Sequence, residues 1–470
     1  MSSSESRQRS VAIIGSGPAG LCAAYLLGRS GYEVTVFEKS SYLTLAGHSY
    51  RVTKDKPGIP QHVSTWKSTD AAANSHSSMT IDIPLRVFSG RYYTNWWRLL
   101  NHLGVETQVH LFHYMFTISG IHYARFYSNF HRVLPCLANG LWMNLYLLFW
   151  YAWFTAACFM VRPRTNVGRS GLVETFDQYI QRILLPKRFM DWFILPLFSA
   201  VATCSHDDLR RIPAAYIVNY RKGTCGFHHR TVRSMEEVER RLSEGVAVKL
   251  GHTVCSVESK DNGCVQVEYC PPGHSRDNAT RTNFGHVILA ISAAEATRIH
   301  RASAKVTAQL ATRKVSVKVH RPAEGGVIYK KSWDKGSSEG FLLHTEEIGV
   351  DELLSHSTHF HPSGMVVTVS PVAGDDTKHG KVVPLSVDHE VILMRPLVTA
   401  ESHALLHKVF AGRTDKGPKT WKNGDGNVYL ASGYCSTGLP LLESCVRSAL
   451  EAAVKIGADV PFEISRPTPF

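Results

Sequence analysis

Residues 11–39, VAIIGSGPAGLCAAYLLGRSGYEVTVFEK, begin with an apolar run from Val11 to Ile14, pass through glycines, and continue with apolar residues at helical period. A second β-branched run, Glu33 to Phe37, follows. The order predicts strand, tight turn, helix and strand. Farther on, VAVKLGHTVCSVESKDNGCVQVEY alternates at strand period around the turn KDNG, and Val287 to Ala290 predicts a buried strand leading into a helix. Between residues 90 and 225 large apolar side chains fall in helix-length segments, the first ending near Gly104. Residues 300–400 alternate as a sheet does, and the tail from residue 426 reads strand, glycine turn and long helix. Residues 40–80 predict irregular structure, and HHRTVRSM predicts a basic turn ahead of a helix, Glu236 to Leu242.

Residues 133–161 stand apart because they hold no charged residue, although Arg132 and Arg162 bracket them. Pro135, Asn139, Gly140 and Asn144 interrupt the segment, so the unbroken apolar run is Leu145 to Val161, with Trp150 and Trp153 inside it rather than at its ends. Three readings are open: a buried or tunnel-lining helix, a membrane span, or a monotopic membrane contact.

Composition narrows the function classes. A chain of 470 residues with 44% hydrophobic and 19% charged residues has material for two or three globular domains. Its 52 Lys and Arg against 39 Asp and Glu give +13, but no block of Lys and Arg marks a nucleic-acid partner. The ten cysteines show neither CxxC pairs nor Cys/His zinc spacing, which predicts reduced thiols with no disulfide framework and no metal. The polar first ten residues are no secretory signal, so the expected location is intracellular, either cytoplasmic or membrane-associated.

The chemistry starts at Gly15, Ser16, Gly17, Pro18, Ala19 and Gly20, where GxGxxG spacing between a strand and a helix suits a pyrophosphate at the helix N-terminus. Glu38, eighteen residues after Gly20 and followed by Lys39, can accept hydrogen bonds from both ribose hydroxyls and disfavours a 2′-phosphate. This motif does not by itself separate FAD from NAD.

These pieces, in this order, resemble the FAD-dependent amine oxidase and phytoene desaturase superfamily, closest to fungal amine-oxidase-like flavoproteins and those of bacterial cyclopropane fatty acid operons. The resemblance implies that Gly15, Gly17, Gly20 and Glu38 bind the ADP part of FAD. It sets Ala46, Gly47 and His48 along the pyrophosphate and flavin, with Ala46 departing from the family's first glycine. It puts the Val254 backbone against the adenine, and Gly433, Gly438, Leu441, Leu442 and Glu443 in the turn and helix beneath the flavin. FAD is the implied cofactor, because an NAD-dependent dehydrogenase has no need of this late return.

The implied architecture is α/β. A discontinuous Rossmann-like FAD-binding domain takes residues 1–90, 225–298 and 400–470, and an inserted α+β substrate domain takes 91–224 and 299–399. The implied activity is that of an oxidase or desaturase removing hydride from an apolar small molecule, a lipid or a secondary metabolite. The alternatives are an NAD(P)H-using monooxygenase and a redox-neutral or structural flavoprotein. No catalytic residue is nominated: Lys314 and Lys318 read as solvated strand lysines, Cys435 as a packed thiol, and the HRP at His320 and RPL at Arg395 depart from family patterns.

Overall fold

The computed structural model describes residues 9–53, 56–60, 79–110, 113–119, 124–128, 140–167, 172–274, 276–321, 340–349, 352–361, 363–371, 386–410 and 421–465. Residues 133–139 of the charge-free segment lie outside the described residues.

A five-stranded parallel sheet carries the amino-terminal motif. Its strands are β1 (Ser10–Ile14), β2 (Glu33–Glu38), β3 (Ala247–Leu250), β4 (His286–Leu289) and β5 (Val428–Leu430), in the spatial order β3-β2-β1-β4-β5. Ile13 lies level with Val36 on one side and Ile288 on the other. Both faces of β1 are covered, which is why its residues are uniformly apolar instead of alternating. Helix α1 (Pro18–Arg29) presents Ala23 and Ala24, and the carboxyl-terminal helix (Leu442–Ile456) presents Ala449 and Ala453, to one shared core on this sheet. Small side chains let the two helix backbones approach closely.

The second large unit is a seven-stranded sheet. Its order is 386–397, 311–321, 366–371, 352–360, 340–349, 113–118 and 124–128, with one parallel pairing between 340–349 and 113–118. The sheet expected from residues 300–400 is therefore present and recruits two strands from the earlier stretch. Between the two sheets in sequence run α2 (Thr94–His102), α3 (Leu141–Met160), α4 (Ala214–Thr224) and α5 (Met235–Ser243), and the carboxyl-terminal helix is α6.

Two sequence expectations are corrected. HHRTVRSM contains a strand, His229–Val232, held antiparallel between 87–89 and 107–110, and those partners supply the ladder that a local reading cannot see. Residues 40–80 include strands Tyr50–Thr53, Lys56–Pro60 and Met79–Ile81, which form a small sheet.

Among the described residues α3 is the one helix long and apolar enough to cross a membrane. It is not buried: Leu147, Phe154, Ala157 and Cys158 face the core while Leu141, Trp142 and Phe149 face outward.

Candidate functional site

The glycine loop is tight toward the protein and open on its other side. A Cβ on Gly20 would sit 2.0 Å from the Gly15 carbonyl oxygen, so the helix can pack on the strand only with glycine there. A Cβ on Gly17 would meet nothing within 4 Å. Gly17 is also the N-cap of α1, no side chain caps it, Pro18 opens the first turn, and no acid lies in that turn. An anion is the complement of that end. Ala19 is buried in the helix core.

Glu38 closes the loop from the β2 side. One carboxylate oxygen accepts the Ser16 N–H at 2.9 Å and its hydroxyl at 2.7 Å, and the other accepts the Ser40 N–H at 2.9 Å. The acid is buried and fixed, with its position set by the loop it serves. Lys39 points away into solvent, 3.8 Å from Glu295.

The second loop packs on α5. The Ala46 N–H donates to Glu239 Oε2 at 2.8 Å, and a Cβ on Gly47 would lie 2.2 Å from the Tyr42 ring, so glycine is required at 47 while the Ala46 methyl is buried in the core. His48 meets the Tyr42 ring edge-on. Burial is the main force pushing the Glu239 carboxyl up to about 7 from 4.5. The folded chain therefore keeps this proton over a pH range in which the unfolded chain has lost it. Stability falls as pH rises from 4.5 to 7, and Glu239→Gln should flatten that slope. Melting temperatures of flavin-free protein across pH check this, the variant melting higher than wild type above that window and no higher below it.

Across from this loop, α6 begins at Leu441, which provides no side-chain cap, with Leu442 buried behind it. Gly433 brings the preceding turn against Pro440 and the Cys445 thiol. Two cations face this end. Arg86 donates to the Leu45 carbonyl at 3.2 Å, and desolvation, then Arg395, push it down to about 10. Desolvation also lowers Arg395, and Cys445 and Tyr93 act in the other direction; among the described residues no carboxylate acts on it and its buried Nε has no hydrogen-bond partner. A desolvated guanidinium without an acid is costly. Arg447 holds the turn by donating to the Thr437 carbonyl at 2.9 Å.

A wall of phenols adjoins the turn. The Leu439 N–H donates to the Tyr92 hydroxyl at 3.3 Å, and Tyr92 packs edge-on against Tyr220 of α4 at 4.8 Å and Tyr93 at 5.2 Å. Burial raises Tyr92 to about 12 and raises Tyr93, Tyr114, Tyr151 and Tyr220, so the wall is uncharged.

Other sequence candidates fall elsewhere. Lys314 is exposed, Lys318 pairs with Glu390 at 3.5 Å on the surface, and His320 lies buried in the 311–321 strand. Cys435 is a packed thiol that burial pushes up. The Val254 carbonyl accepts from Arg298 at 3.2 Å, and the Glu443 carboxylate accepts the Asn95 and Trp96 backbone N–H groups at the start of α2. Sequence reasoning passed over Arg86, Tyr92 and Tyr93. The only signal was an arginine inside the short apolar run of IDIPLRVFSGRYY.

The residues present fit FAD. Two uncapped helix N-termini, a fixed acid beside the first, and beside the second a half-buried guanidinium on which no carboxylate acts among the described residues together complement an extended, anionic dinucleotide.

Comparison with known proteins agrees with this geometry. Residues 13–103 match an NAD(P)-binding Rossmann-like domain, and residues 62–392 match the flavin containing amine oxidoreductase family. A curated relative, the NADP(+)-dependent formate dehydrogenase subunit beta of Moorella thermoacetica, is 35% identical over 81 residues, and the match spans 16% of this chain and 11% of that one. Cyclohexylamine oxidase from Brevibacterium oxydans IH-35A is similar in structure at TM-score 0.59 and 15% identity, over 95% of this chain and 98% of that one. A CLA-producing fatty acid isomerase from P. acnes is similar at TM-score 0.60 and 12% identity, over 97% and 100% of the two chains.

Proposed function

The chain belongs to the flavin containing amine oxidoreductase family, and on that footing we propose that it removes a hydride from an apolar small molecule. It is an FAD-dependent oxidoreductase. Bound FAD supplies the hydride-accepting chemistry. The chain's residues bind, orient and keep water out. Glu38 receives the ribose hydroxyls, and the α1 N-terminus with the open side of Gly17 receives the pyrophosphate. Gly15, Ser16, Pro18 and Ala19 shape that loop, and Ala46, Gly47 and His48 form the second wall. The positive end of α6, reached through Gly433, Leu441 and Leu442, and the guanidinium of Arg395 favour electron density on the ring system.

The observation that carries the substrate class is the phenol wall. Tyr93 is buried, Tyr92 and Tyr220 are half-buried, all three are uncharged, and Tyr92 packs edge-on against both of the others beside the Gly438–Leu439 turn. Such a wall suits an apolar body and offers no counter-charge to an ammonium group. We assign this wall to the segments between 91 and 224 and the dinucleotide loops to 1–90, 225–298 and 400–470.

Anaerobic mixing of the flavin-loaded protein with unsaturated fatty acids, polyenes and primary amines tests the reading by the loss of the flavin's visible band. Bleaching by an apolar compound is expected. Bleaching by NADPH alone, or by amines alone, would overturn it. Double-bond migration without net bleaching would assign a redox-neutral isomerase instead.

A further inference from the structure

We propose that the outer face of α3 rests on an anionic lipid surface, with the helix lying in the plane of the interface. Its exposed side chains recur at helical period, with Trp142, Leu145, Leu148, Phe149, Trp153 and Met160 between 40% and 82% exposed. The opposite stripe is equally apolar and is occupied by the protein itself. Phe154 packs on Phe198, Tyr151 on Phe193, and Arg221 of α4 donates to Thr155 at 2.8 Å. A helix on a water-exposed surface carries polar residues outward; α3 carries indole, phenyl and thioether groups, and an unbroken apolar patch of this kind marks an interaction surface. The packed stripe sets the orientation, since a helix crossing the bilayer would have to shed those contacts.

Charge selects lipid as the occupant. Between Glu106 and Glu174 the sequence contains no acidic residue and five arginines. Arg162 and Arg164 follow the helix and are exposed, and Lys222 stands 5.9 Å over the ring of Phe159. On the neighbouring flank the Trp153 indole donates to the Ile183 carbonyl at 2.8 Å, and Leu184, 78% exposed, projects beside the exposed Lys187 and Arg188. Apolar residues with a cationic rim match acyl chains beneath anionic headgroups. The inner stripe connects this face to the site, because Tyr151 of α3 is one of the phenols acting on Tyr220. The docking itself does not depend on the substrate class.

Flotation of the full-length, flavin-loaded protein with vesicles tests the proposal, using phosphatidylcholine with and without phosphatidylglycerol. Wild type should float with the anionic vesicles. Trp142→Glu with Phe149→Glu, both at exposed positions, should weaken that partition by about tenfold or more, with flavin content unchanged. Arg162→Glu with Arg164→Glu should weaken binding to anionic vesicles only. Equal binding to both vesicle types would overturn the anionic preference, and resistance to alkaline carbonate extraction would overturn the in-plane orientation. Absence of flotation, together with a dimer in solution that the Trp142 and Phe149 substitutions dissociate, would give the face to a second copy of the chain.

Discussion

Replacing Arg395 with methionine is expected to weaken FAD binding by about 10- to 100-fold while making the flavin-free protein more stable. The two signs come from one cause. Arg395 is desolvated, and among the described residues no carboxylate acts on it and its buried Nε has no partner, so in the flavin-free protein it is a poorly compensated cation. A methionine of similar reach removes that cost. With the anionic cofactor bound, the same guanidinium would supply charge-assisted hydrogen bonding of about 1.5–3 kcal/mol, and losing it gives the expected weakening. The ratio of flavin to protein absorbance after gel filtration, titration of stripped protein with FAD, and the two melting temperatures check the prediction together. A variant that keeps its flavin but melts lower without it would show Arg395 to be a packing residue. Arg86 should behave differently, because it also donates to Leu45 and so contributes to the loop as well as to the charge.

The contrast between these arginines and the glycine loop shows what the sequence carries. Gly15, Gly17, Gly20 and Glu38 lie within one strand-turn-helix-strand unit, so their spacing encodes their geometry, and the buried Glu38 carboxylate is found on Ser16 as that geometry requires. Arg86 immediately precedes the 87–89 strand and Arg395 sits in the 386–397 strand of a different sheet, so the two meet only because the chain folds back on itself. Beyond the short apolar run around Arg86, nothing local distinguishes either from a solvated arginine. The same limit applies to the His229–Val232 strand, whose two partners are distant in sequence. For α3 the hydropathy was legible and the orientation was not. An all-apolar helix reads alike whether it is enclosed or half exposed, and only the partners of Tyr151 and Phe154 show which stripe the protein takes.

Glu443 shows how a motif position can serve a task other than the one its neighbours suggest, and Glu443→Ala should cost about 3–5 kcal/mol of stability. Two residues after Leu441, it belongs by position to the turn and helix that the family resemblance sets beneath the flavin. Its buried carboxylate instead accepts the Asn95 N–H at 3.2 Å, the Asn95 side-chain amide at 2.7 Å and the Trp96 N–H at 3.0 Å. Those two backbone donors open α2, whose own N-cap residue Tyr93 supplies no side-chain acceptor. Glu443 thus caps α2 from α6 and fixes the phenols preceding α2 to the turn they face. Alanine leaves the two buried backbone donors without that acceptor, the Asn95 amide with only the Ser465 carbonyl, and Arg447 without its acid neighbour. Glu443→Gln keeps one acceptor oxygen and should lose about 1–2 kcal/mol. Urea denaturation of the flavin-free protein measures both losses, and the flavin spectrum of the loaded Gln variant separates the two roles. A residue that caps α2 lowers the denaturation midpoint and leaves the spectrum where it was. A residue in contact with the ring would shift the spectrum with the midpoint unchanged, and that outcome would return Glu443 to the flavin.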